Sequence, residues 1–204
     1  MPTLPNLAAA FGLLALSGAL GCAASAPAPS SLPPGPAVPP LPVVDSPAVR
    51  PGPIGTYLDR QFGVLRVVAG ASAVERRDDA LVVSLDSDAT FDGNGAALSD
   101  EGAKRIRALA QTVQEYPKER IIVKSHTDGV GDERTSQRLS EDRADSVRNL
   151  LVAEGVAPSR ITAMGLGASL PLATNATAEG RQQNRRIELE LRPDDEVLQG
   201  ASSQ

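Results

Sequence analysis

The balance of apolar and polar positions changes regime several times along this chain. Leu7–Leu20 is an apolar run of signal-peptide length, short for a bilayer span and followed by small residues. From Ala23 to Pro53 no period survives, because Pro, Ala and Ser dominate, as in APAPSSLPPGPAVPPLPVV. Such a stretch favours extended polyproline geometry, and some 30 residues at roughly 3.1 Å each would reach on the order of 90 Å. Periodicity begins near Ile54.

In TYLDRQFGVLRVVAG, Leu58, Phe62, Leu65 and Val68 recur at helical spacing, and Gly70 suits the helix end. Two strands, within ASAVERR and ALVVSLDS, bracket Asp78-Asp79 and predict a hairpin with Leu81, Val83 and Leu85 pointing inward. Ser99 is placed to cap a helix over DEGAKRIRALAQTVQEY, with Ala103, Ile106, Ala110 and Val113 on one face and Pro117 as its stop. RIIVKS reads as a central strand. A further helix is expected from about Ser136 to Glu154, with Gly155 just past its end. RITAMGLG predicts a strand, EGRQQNR a helical turn, and RRIELELR a last strand with Ile187, Leu189 and Leu191 on one face and charges on the other. Alternating strands and helices predict an α/β (α+β) sandwich, a mixed sheet with helices packed on one face.

Composition narrows the chemistry. Among 204 residues with net charge −5, 22% are charged and 2% aromatic with no Trp, so platforms for stacking bases are missing and nucleic acid is excluded as an expected partner. One His and one Cys cannot build a multidentate His/Cys metal site or an intrachain disulfide, so no metal or other cofactor is expected, a carboxylate-based ion site apart. Glycines 165 and 167 suit a bend after a strand, since no phosphate-binding loop follows.

The junction SHTDGVGDERTSQRLSEDRAD carries the chemistry. At 100° per residue Leu139, Ala144, Val147, Leu150 and Leu151 share an apolar arc, and Arg143 points into it. A guanidinium there needs a carboxylate or an open cleft, because an unpaired buried charge costs several kcal/mol. Asp128 lies just beyond the carboxyl end of the RIIVKS strand, where open α/β folds place ligand loops, and Gly129 and Gly131 let that loop turn tightly. Two readings stand: an Asp128–Arg143 ion pair that locks loop to helix, or a pocket bordered by an acid and a base. The second suits a zwitterionic amino-acid group, the Asp taking its ammonium and the Arg its carboxylate in a bidentate pair.

Ala19-Leu20-Gly21-Cys22 resembles a bacterial lipobox with Ala19 in place of the usual Leu, which would make Cys22 an acylated first mature residue. The other option is an ordinary signal cleaved near Ala24 or Ala26. Ala23, in place of an inner-membrane retention Asp, favours the outer membrane by the same resemblance.

The stretches TFDGNGAALSDEG, IIVKSHTDGVGDERTSQRLSEDRADSVRNLLVAEGV and RITAMGLGASLPLATNATAEGRQQNRRIEL resemble, in order and spacing, the OmpA C-terminal-like domain. The resemblance implies a peptidoglycan-binding lipoprotein, with Asp128 and Arg143 gripping the diaminopimelate of the stem peptide. Thr127 of the HTD segment and Ser136, which stands where Asn is usual, are candidate pocket-lining residues. His126 is a further one, expected to position rather than ligate. Arg185 and Arg186 of the NRR segment line the cleft or form a basic rim.

The expected organisation is a signal peptide over 1–21, a lipidated Cys22 and Pro/Ala-rich linker over 22–53, a leading helix and hairpin over 54–89, an OmpA-like domain over 90–193 and a disordered tail over 194–204. The expected function is a non-catalytic link between outer membrane and cell wall, with the domain facing the periplasm. The competing class is a cell-wall-processing amidase or transpeptidase. It needs a nucleophile with its base, or a metal with three ligands, and no motif in the folded region supplies them.

Overall fold

The computed structural model describes residues 53–70 and 73–194. The expectations on the signal segment, on Cys22, on the Pro-rich spacer and on the tail beyond Asp194 lie outside the described residues. The elements are α1 (Pro53–Ala69), β1 (Val74–Arg77), β2 (Ala80–Asp86), α2 (Ser87–Thr90), α3 (Asp100–Gln114), β3 (Glu119–His126), α4 (Glu133–Ala153), a 3-10 turn (Pro158–Arg160), β4 (Ile161–Gly167), α5 (Ala178–Asn184) and β5 (Arg186–Pro193).

The strands form one open five-stranded sheet in the order β1-β2-β5-β3-β4, with β3 and β4 parallel and the other neighbours antiparallel. Alternation fixes which face is buried. Leu81, Val83 and Leu85 of β2, Ile121 and Val123 of β3, and Ile187, Leu189 and Leu191 of β5 share one core with Leu58 and Leu65 of α1, Ile106, Leu109 and Val113 of α3, and Val147 and Leu151 of α4. Helices therefore cover one face of a mixed sheet, as the periodicity predicts. The opposite face carries charges that pair with one another: Glu188 with Arg186 at 2.8 Å, and Glu190 with both Lys124 and Arg192.

Several local signals act as expected. Ser99 caps α3, its Oγ accepting from the Gly102 N–H at 3.0 Å. Asp78 takes a positive φ in the two-residue hairpin turn, where an Asp is tolerated. Other expectations need correction. Helix α4 starts at Glu133, a turn before Ser136, because Asp132 is the N-cap and accepts from the Thr135 N–H at 2.8 Å. Gly165 lies within β4, and its role is a close approach. A Cβ there would sit 2.3 Å from the Glu141 backbone nitrogen, so only glycine lets α4 lie directly on β4. Gly167 beside it donates its N–H to Ser140 Oγ at 2.9 Å.

Helix α1 is held to the body by more than its leucines. Buried Gln61 donates to the buried Glu119 carboxylate at 2.8 Å, and the Tyr57 ring meets Tyr116 edge-on with centroids 5.3 Å apart. Both contacts lie where β3 begins.

Candidate functional site

The chemistry gathers at the other end of β3. There the ends of β2 and β3 and the beginnings of α4 and β5 surround a cavity of about 480 Å³, lined by Asp88, Asn94, Asp128, Ser136, Arg143 and Arg185, with Thr127, Val130 and Leu139 completing its wall.

Arg143 is built into this wall rather than laid on it. It is 3% exposed, and its guanidinium lies over the Phe91 ring with the Cζ 4.8 Å from the centroid. Its Nε donates to the Gly95 carbonyl at 2.8 Å and Nη2 to the Gly93 carbonyl at 3.4 Å. The carbonyls come from a loop pinned by the Phe91–Leu98 bridge and by the Asp92 N–H donating to the Ala97 carbonyl at 2.8 Å. Burial pulls the Arg143 pKa down, while the charge of Asp88 opposes that shift. Among the described residues no carboxylate bonds the side chain directly, so a buried guanidinium lines the cavity with its charge unneutralised by contact from them.

Asp128 is positioned from two sides. Its Oδ1 accepts from the Val130 N–H at 3.2 Å, and Oδ2 accepts from Arg185 Nη1 at 2.8 Å. The glycine after Val130 has φ +102°, a conformation that lets the loop double back onto α4. The partner of Asp128 is thus Arg185, not Arg143, and the internal Asp128–Arg143 ion pair is not the arrangement present.

Arg185 is shared. Its Nε and Nη2 donate to Asp88, with Nη2 to Oδ2 at 2.7 Å, while Nη1 holds Asp128. Two carboxylates raise the Arg185 pKa, and Arg185 in turn holds Asp88 below its usual range. Asp88 reaches the site because α2, a helix of one turn capped by Asp86, follows β2 directly, and the Ser87 N–H donates to the Arg185 carbonyl at 3.0 Å.

Thr127, Ser136, Asp128, Arg143 and Arg185 are therefore brought together, and two other candidates are not. His126 and Arg186 do not line the cavity. His126 is buried, with Nε2 3.9 Å from Glu188, and burial followed by the nearby Arg186 charge pushes its pKa down to about 4. Arg186 pairs with the same Glu188 on the face of the sheet away from the core. Sequence reasoning missed Asp88, Asn94 and the carbonyls of Gly93 and Gly95. Their segment, SDATFDGNGAA, has no apolar period and reads only as a connection, although it includes part of a stretch that carries the family resemblance. Among the described residues no group of three or more His, Cys, Asp or Glu side chains is placed to hold a metal ion.

Against known proteins, the sequence pattern of the OmpA family matches residues 90–185. The probable lipoprotein YiaD of Escherichia coli (strain K12) is 40% identical over 144 residues, 70% of this chain and 66% of that protein. The peptidoglycan-binding protein ArfA of Mycobacterium bovis is 38% identical over 99 residues, 48% of this chain and 30% of that protein. The solved cell wall anchor of the T6SS from Pseudomonas aeruginosa superposes with a TM-score of 0.58 at 30% identity, covering 66% of this chain and 98% of that one. The chain thus spans about two thirds of YiaD and under a third of ArfA.

Proposed function

Because residues 90–185 are an OmpA family domain, we propose that the chain is a non-catalytic module that binds peptidoglycan by gripping the free end of a diaminopimelate side chain. The observation that supports this most is the cavity itself, which presents the fixed carboxylate of Asp128 and the buried guanidinium of Arg143 to one space. The free end of diaminopimelate carries an ammonium and a carboxylate on one carbon. Asp128 takes the ammonium. Arg143 takes the carboxylate end-on through Nη1 and Nη2, since Nε is committed to the Gly95 carbonyl. Val130 and Leu139 offer apolar wall to the methylenes between that carbon and the stem. Grip without bond cleavage needs no nucleophile, and these residues orient and neutralise rather than activate.

In the same proposal Cys22 carries lipid, the Pro-rich segment is a spacer, and the module joins the outer membrane to the cell wall from the periplasmic side. The names of YiaD, a probable lipoprotein, and of ArfA, a peptidoglycan-binding protein, support this reading.

Co-sedimentation with intact sacculi tests it. The expected result is capture of the wild-type chain without release of soluble fragments, and loss of most capture in Asp128→Ala and in Arg143→Ala while circular dichroism stays native. Fragment release would replace the binding module with an enzyme. Wild-type capture by either variant would remove that residue from the grip.

A further inference from the structure

The four charged side chains at the cavity follow one another in alternating sign. Asp128 accepts from Arg185, Arg185 donates its Nε and Nη2 to Asp88, and Asp88 and Arg143 each favour the other's charged form. Two carboxylates and two guanidiniums sum to zero, as a zwitterion requires. The arrangement also divides the charge. Asp128, Arg185 and Asp88 form one bonded group with a net charge of −1, and Arg143 is the +1 facing it.

We propose that Asp88 is a positioning residue for ammonium recognition: it holds Arg185 by the Nε side of the guanidinium, leaving only Nη1 for Asp128, and so keeps a net negative charge where the ligand's amine arrives. The inference rests on the reading that an amine binds at Asp128. Its physical basis is the two-edged shape of guanidinium. Arg frequently donates two parallel bonds to a carboxylate, one from each nitrogen of an edge. Here Asp88 takes both, and Asp128 receives a single bond at 2.8 Å. With Asp88 neutral, Arg185 would turn its paired donors onto Asp128. The two would form a closed neutral pair, and an incoming amine would have to break it.

Exposure fits this division of work. The Asp128 side chain is 18% exposed and borders the cavity, whereas Asp88 is 49% exposed, so water readily supports its charge. Asp88 is thus inexpensive to keep ionised and can act through Arg185 without being the group that grips.

The test uses the purified full-length chain and calorimetry with two probes, a soluble diaminopimelate-type stem peptide and the same peptide acetylated on its terminal amine. Asp88→Asn is expected to weaken binding of the free-amine peptide about fivefold or more and to leave the acetylated one nearly unchanged, so that preference for the amine collapses. Adding Arg185→Gln in the Asp88→Asn background frees Asp128 and is expected to bring affinity back to within about threefold of wild type. Damage to the fold is not repaired by a second substitution, so recovery separates positioning from structure. Wild-type preference in Asp88→Asn, or a double variant no better than Asp88→Asn alone, overturns the proposal. Asp128→Asn tells the two layers apart. If it keeps the amine preference, the underlying reading fails; if it loses the preference while Asp88→Asn keeps it, only the assignment of Asp88 fails.

Discussion

Replacing diaminopimelate by lysine in the stem removes one carboxylate and leaves the amine, so it isolates the contribution of Arg143. Arg143 is nearly buried, and its Nε and Nη2 already bond the Gly95 and Gly93 carbonyls. The free N–H groups that face the cavity are what a lysine-type stem leaves without a carboxylate. A hydrogen bond to a charged group in such a setting is worth about 1.5–3 kcal/mol, which is roughly tenfold to a hundredfold in affinity. Calorimetry with lysine-type and diaminopimelate-type soluble stem peptides, at one pH and one salt concentration, reads this directly. The wild-type chain is expected to prefer the diaminopimelate peptide by at least about tenfold, and Arg143→Ala is expected to reduce that preference to about twofold or less. Arg143→Lys should fall between, because an ammonium keeps the charge but cannot make the paired bonds. Equal affinity of the wild-type chain for the two peptides would show that Arg143 does not read the terminal carboxylate, and the ligand pose would be wrong.

Burial pushes the Glu119 carboxyl up to about 7, against the Gln61 hydrogen bond that pulls it down, so the protonated form is the one the fold favours. Its contribution to stability is therefore fully present below the ordinary carboxylate range and is lost as pH rises toward 7, at most on the order of 3 kcal/mol. Thermal unfolding should show a lower Tm at pH 8 than at pH 5 in wild type, and a flatter profile in Glu119→Gln; matching profiles would remove Glu119 as the cause. Gly165→Ala should cost about 1–3 kcal/mol by denaturant unfolding, because the added methyl meets the Glu141 backbone rather than a flexible side-chain tip; an unchanged midpoint would mean that α4 shifts freely. Cys22→Ser should abolish incorporation of labelled fatty acid in cells, and equal label in wild type and variant would end the lipoprotein proposal.

Long periodic segments announced themselves in the sequence. The leucines of α1, the helix behind the Ser99 cap and the alternating β5 each had one apolar face to bury, and burying it fixed their place. The start of α4 was harder, because Asp132 and Ser136 are both competent caps and ERT between them has no apolar residue to choose between them. Asp88 was hidden by brevity, since a helix of one turn shows no period. Strand alternation alone keeps His126 and Arg186 out of the cavity. If Ile121, Val123 and Ser125 face the core, His126 must face away with Lys124, and Arg186 shares that outer face with Glu188 and Glu190. Arg185, one residue before the strand, is free of that alternation and turns to the cavity. The Asp88–Arg185–Asp128 connection joins residues 97 and 57 positions apart, and only the assembled sheet brings them into contact.

The two ends of β3 have different attachments. Helix α1 seats Gln61 on Glu119 where the strand begins, and Asp128 follows the strand's other end. Eight residues at about 3.3 Å each make β3 a strut of roughly 26 Å between them. A pull applied between the seat of Gln61 on Glu119 and a ligand held at Asp128 is thus directed along the strand, not across it. Hydrogen bonds to β4 on one side and β5 on the other lie across that line, so they are loaded in shear together instead of being peeled one by one. By this geometry the domain should resist lengthwise tension well beyond what its equilibrium stability suggests, and yield early if pulled from β1 at the sheet's edge.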